Sequence, residues 1–128
     1  MADRFNMSGD FRGAIINIKS TLTNVQQSVG EIHSTDETAR KELEMLIGQL
    51  SESLQKVPPE NQEQAQAVAE TAKVLVDTAK AETPNKTMLQ ISSEGLKQAA
   101  QNLAGVMPAV VSIASQIVMT VAKLTGKM

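Results

Sequence analysis

Cysteine, tryptophan and tyrosine are absent from this 128-residue chain, and its only aromatics are two phenylalanines. Without cysteine there is no disulfide, no thiolate metal site and no Cys nucleophile. Without large aromatics the core has to be filled by aliphatic and methionine side chains, which suit closely packed helices better than a β-sandwich. His33 is the single histidine, so no histidine pair exists for a metal site. It stands beside Ser34 at a predicted helix start, where a surface or capping role suits it. The acids Glu42 and Glu44 are two apart and project to different sides of a helix, which makes a poor catalytic dyad. Gly9 and Gly13 are four apart but lack the glycine-lysine-Ser/Thr ending of a phosphate loop. These absences predict a non-enzymatic protein with no catalytic residue, no cofactor, no metal and no small-molecule substrate.

Positive charge is also scarce. The formal net charge is −2, which argues against a nucleic-acid partner. Charge is unevenly placed: residues 31–82 hold eleven acids against five bases, whereas residues 83–128 hold four lysines against Glu94 alone. An acidic middle covering a mildly basic, apolar C-terminal part fits this pattern. A signal peptide is not expected, because MADRFNMSGDFR carries charge and glycine where an apolar stretch would be needed. A cytoplasmic location follows as the expectation, or a membrane-associated one if the C-terminal part enters lipid.

One domain is expected at this length, in three parts. Residues 1–19 read as a β-ribbon or extended arm: Ser8-Gly9-Asp10 is a turn signal between Phe5 and Met7 on one side and Phe11, Ile15, Ile16 and Ile18 on the other. A lone ribbon is marginal in water and has open edges. Phe5, Met7, Phe11, Ile16 and Ile18 are therefore the candidate assembly interface, for a homo-oligomer or a protein partner.

Residues 20–82 read as amphipathic helices. Leu22, Val25, Val29 and Ile32 are spaced three, four and three, a short helix interrupted near Gly30. Ser34 and Glu37 have capping-box spacing ahead of a helix to about Lys56. Its stripe is Ala39, Leu43, Leu46, Ile47, Leu50, Leu54 and Val57. Pro58-Pro59 ends it, and a third helix follows over 61–81, with Ala65, Val68, Ala69, Ala72, Leu75, Val76 and Ala79 on one side. The short link predicts that these two helices pack as an antiparallel hairpin.

Residues 85–125 are the most apolar part and carry no charge between Lys97 and Lys123. Leu96, Leu103, Val110, Ile113, Ile117 and Leu124 lie on one seam of alternating three- and four-residue spacing. A continuous helix here would be roughly 60 Å long, although Gly105 and Pro108 could bend or divide it. The seam needs cover from protein or lipid: the uncharged run over 98–122 is long enough to cross a bilayer, yet Gln98, Gln101, Asn102, Gln116 and Pro108 interrupt it.

The segments FNMSGDFRGAIINIKSTLTNVQQSVG and NKTMLQISSEGLKQAAQNLAGVMP resemble small helical bacterial proteins that accompany caspase-like or STAND-type conflict (defence) systems. The resemblance covers most of the chain, implies an adaptor or effector role, and brings no catalytic residues with it. The expected architecture is all-α: a bundle built on an antiparallel helix hairpin and a long C-terminal apolar helix, with a short N-terminal β-ribbon. The expected function is interaction or self-assembly. The alternative is a membrane-inserting, pore-forming or membrane-disrupting effector using residues 98–122.

Overall fold

The computed structural model describes residues 7–126, with side chains from Ile15 onward. It has five α-helices: α1 Met7–Val29, α2 Glu37–Gln55, α3 Gln62–Ala79, α4 Lys86–Gln101 and α5 Pro108–Thr125, with a 3-10 turn at Pro59–Asn61. No strand occurs among the described residues.

The expected ribbon is replaced by helix. Ile18, Leu22, Val25 and Val29 are all buried, and Ile15 stands three residues before them, so the helical period runs back into the segment read as strand. Ser8, Gly9 and Asp10 fall in the first turn of α1. Packing of the stripe outweighs their weak helix propensity, which amounts to about 1 kcal/mol for a glycine. Phe5 lies outside the described residues, as do the side chains of Met7 and Phe11. α1 stops at Gly30, where successive N–H groups of Gly30, Glu31 and Ile32 tighten onto the carbonyls of Gln27, Ser28 and Val29 at 3.2, 2.9 and 3.1 Å.

The cap of α2 sits two residues later than its spacing suggested. Asp36, not Ser34, accepts the Ala39 N–H at 2.9 Å, while Ser34 Oγ accepts the Asp36 N–H at 3.2 Å. A carboxylate caps as well as a hydroxyl, and its charge also favours the helix start. At α4, Asn85 Oδ1 accepts the Met88 N–H at 3.0 Å.

The helices form a closed ring in the order α1, α2, α5, α4, α3 and back to α1. α2 and α3 are therefore consecutive in the chain but not a packed pair, contrary to the hairpin expectation. Six residues separate Gln55 from Gln62, enough to reach roughly 20 Å when extended, which is two helix spacings. The alanine seam of α3 then packs closely between α1 and α4, and the leucine stripe of α2 between α1 and α5. Short links make every sequential pair opposite in direction. Five is odd, so one neighbouring pair must run in parallel. It is α1 with α3, whose ends meet where Lys80 Nζ lies 3.6 Å from Glu31 Oε1.

The expected long C-terminal helix is two helices. After Gln101 the N–H groups of Val106 and Met107 both turn onto the Leu103 carbonyl, at 3.0 and 2.7 Å. Met107 adopts φ −148° and ψ 73°, because a residue before proline is pushed out of the helical region. Pro108 then starts α5, where its missing N–H is no loss. Leu96, Leu103, Val110, Ile113, Ile117 and Leu124 all lie in the protein core. Val106, at the turn, leaves the seam and is 43% exposed. The reversal folds an apolar run against itself, and α2 covers the side that α4 leaves open.

Burial of this seam makes a contrast on one helix. Ile117→Asp places an unpaired carboxylate in the core and should remove more than about 3 kcal/mol of stability. Met119→Asp, two residues on and facing out, should stay within about 0.5 kcal/mol. Urea unfolding of both variants checks the assignment; equal midpoints would refute it.

Candidate functional site

Among the described residues, no three His, Asp or Glu side chains come together in a group able to hold a metal ion. Charged side chains are instead used one by one to tie helix ends. Arg40 is the most committed. From the first turns of α2 it donates to Glu37 Oε2 at 2.7 Å, to the Ile32 carbonyl at 3.1 Å and to the Ser34 carbonyl. It thus holds the loop between α1 and α2 against the start of α2.

A shallow depression lies over this loop, lined by residues 30–35 and Arg40. His33 is exposed there. The two terminal nitrogens of the guanidinium already face the Ile32 and Ser34 carbonyls and the Glu37 carboxylate, while Nε is buried without a hydrogen-bond partner. The chemistry of the depression is that of a clamp, not of a ligand site.

Two further polar groups serve the same purpose. Gln62 Nε2 donates to the Val57 carbonyl at 3.0 Å and pins the link into α3. Lys80 at the end of α3 reaches Ser28 Oγ at 3.5 Å and Asp77 Oδ1 at 3.6 Å as well as Glu31. In the α4 seam, Ser92 Oγ is buried without a hydrogen-bond partner; an isolated hydroxyl has no nearby base to activate it.

The remaining candidates are apolar and face outward. Ile16, proposed from sequence for assembly, is exposed on α1, whereas Ile18 is in the core and out of a partner's reach. Met88 and Ile91 are exposed three residues apart on α4. Met45 on α2 is 63% exposed and Met119 on α5 is 64% exposed. These last two belong to adjacent helices whose register is marked by Lys123 Nζ, 3.7 Å from Glu42 Oε1. Met45 follows Glu42 by one turn and Met119 precedes Lys123 by one turn, so both stand at the same level of the bundle. The outward side of α5 around Met119 consists of Ala109, Ser112 and Gln116 and carries no charge before Lys123.

Sequence reasoning did not single out this pair. The signal was present: Met45 is an apolar residue on the polar side of α2, among Lys41, Glu42, Glu44 and Gln49. No protein-family model, no curated protein and no solved structure matches the chain.

The clamp reading gives a direct expectation. Arg40→Ala strips two loop carbonyls of their charged donor and should lower stability by about 1–2 kcal/mol. Arg40→Lys should recover only part, since one ammonium cannot reproduce the guanidinium fork. Chemical denaturation measures both, and an Arg40→Ala midpoint equal to that of the parent chain would remove the clamp.

Proposed function

We propose that this chain is a non-enzymatic helical interaction module that self-associates or docks a helical partner through its outward faces. The observation that carries the reading is the pair Met45 and Met119, both nearly two-thirds exposed on adjoining helices, beside an uncharged stretch of α5 surface. Flexible thioethers make adaptable apolar contacts, and exposed apolar side chains clustered on one face mark interaction surfaces. An adaptor or effector component of a bacterial conflict system, as the resemblance implies, would need such a face and no catalytic group.

A second reading is membrane insertion of α5. This helix is long and apolar enough to span a bilayer, and less than half of it is buried. A soluble core helix passes the same test of length and composition. Insertion would require α5 to leave α2 and α4, exchanging a protein-covered seam for lipid.

Two experiments separate these readings. Sedimentation of the full chain across a concentration series should show mass rising above the monomer. Met45→Glu with Met119→Glu should suppress that rise at least tenfold in concentration while leaving the far-ultraviolet spectrum intact. Liposome flotation should leave the untreated protein at the bottom of the gradient; flotation that resists alkaline extraction would favour the membrane reading instead.

A further inference from the structure

On α2, Ala39, Leu43, Leu46, Ile47, Leu50 and Leu54 point into the core. Glu42 leans toward α5, where it meets Lys123. The backbone carbonyl of Glu44 accepts from Gln26 Nε2 of α1 at 2.9 Å. What remains on the outward side is Lys41, Met45, Gly48 and Glu52, spaced four, three and four, which is one stripe of a helix. Lys41, Met45 and Glu52 are exposed and Gly48 is partly buried. Neither Lys41 nor Glu52 has an ion-pair partner among the described residues.

The stripe has a property beyond being exposed. Its spacing reads the same in both directions, while its chemistry inverts. Turned end for end, base falls on acid and large falls on small. Two copies laid antiparallel about an axis midway between Met45 and Gly48 set Lys41 opposite Glu52 twice and Met45 opposite Gly48 twice. One turn further out, Glu37 comes opposite Lys56, also twice. A parallel alignment would instead set lysine against lysine and glutamate against glutamate.

We infer that α2 is the homodimer interface of this protein, pairing antiparallel with α2 of a second copy through Lys41, Met45, Gly48 and Glu52. This rests on the self-association reading above and names its surface, partner and register. A twofold axis requires a surface patch that complements itself, and like charges brought together suppress the competing parallel arrangement. Gly48 adds no side chain to the stripe, and within the monomer the place of its missing Cβ is met by Gln26 Nε2 of α1 at 3.0 Å, an amide that also bonds the Glu44 carbonyl. The register is therefore carried by the charges of Lys41 and Glu52, with Met45 lying over the bare backbone at Gly48. One helix pair covers less area than the roughly 1,600 Å² of a standard interface. The dimer is therefore weak, is populated at high protein concentration, and loosens with salt.

Charge reversal and cross-linking of the full chain test this. In sedimentation equilibrium up to several hundred micromolar, Lys41→Glu and Glu52→Lys should each raise the dimer dissociation constant at least tenfold. The double variant should return it to within about threefold of the parent. Because the chain has no cysteine, Lys41→Cys with Glu52→Cys places two thiols too far apart for a bond within one rigid helix. Mild oxidation should then give a dimer joined between positions 41 and 52, identified by mass spectrometry of its peptides. A chain that stays monomeric throughout would overturn both this interface and the self-association reading. An oligomer indifferent to either reversal would overturn the α2 interface alone. Single reversals that weaken assembly without rescue in the double variant, or cross-links joining 41 to 41, would overturn the antiparallel register.

Discussion

Covering α5 is the constraint on which the bundle depends. From Pro108 to Ala122 it has no charged residue, and Val110, Ile113, Ala114, Ile117, Val118 and Val121 form a broad apolar side. Left in water, that side would expose several aliphatic side chains, each worth about 1.5–3 kcal/mol of burial. A single antiparallel neighbour cannot cover it. α4 takes one flank through the turn at Pro108, and α2 takes the other. Because α2 is held against α5, the chain crosses to a new position before starting α3, and α1 fills the space between α2 and α3. The ring order follows from this one requirement.

The buried faces were legible in the sequence; the order of the helices around the ring was not. The stripes of α2 and α3 are buried as their spacing indicates, from Ala39 to Leu54 and from Ala65 to Ala79, because one strongly periodic face leaves a helix few alternatives. The seam from Leu96 to Leu124 was legible for the same reason. Its division was not, since a proline within an apolar run can either kink a helix or open a new one. Two tight bonds onto the Leu103 carbonyl decide between them. The start of α1 was misjudged because glycine and Asp10 dominate a short window there, while the stripe that overrides them lies downstream. Adjacency was the hardest to read: a six-residue link fits both a packed hairpin and a step across a neighbour, and only the contacts of α2 with α1 and α5, and of α3 with α1 and α4, distinguish the two.

The proposed interaction surface was partly hidden for a different reason. Periodicity finds what is buried, and interaction residues are the exceptions left outside. Ile16 and Ile18 read as one set on a ribbon, yet two residues along a helix is a rotation of about 200°, which divides them between solvent and core. Met45 was passed over because a lone apolar residue on a charged face is common on soluble proteins. It gains meaning once Met119 stands beside it. Among the polar groups, Arg40, Gln62 and Lys80 are each spent on a helix end and hold the connections in place.

The parallel pair α1 and α3 has an electrical consequence. Peptide dipoles cancel between oppositely directed helices and add between parallel ones. With three helices directed one way and two the other, one helix's worth of dipole is left over. Its negative pole lies at the end where α1, α3 and α5 finish, beside Lys80 and Lys123, and its positive pole at the end where they begin, near Glu60 and Glu63. At the negative pole Lys80 and Lys123 share the end with the acids Glu31, Asp36 and Glu37, so side-chain charge offsets only part of the leftover dipole. The two ends of the bundle are therefore electrically unequal even though the net charge is only −2.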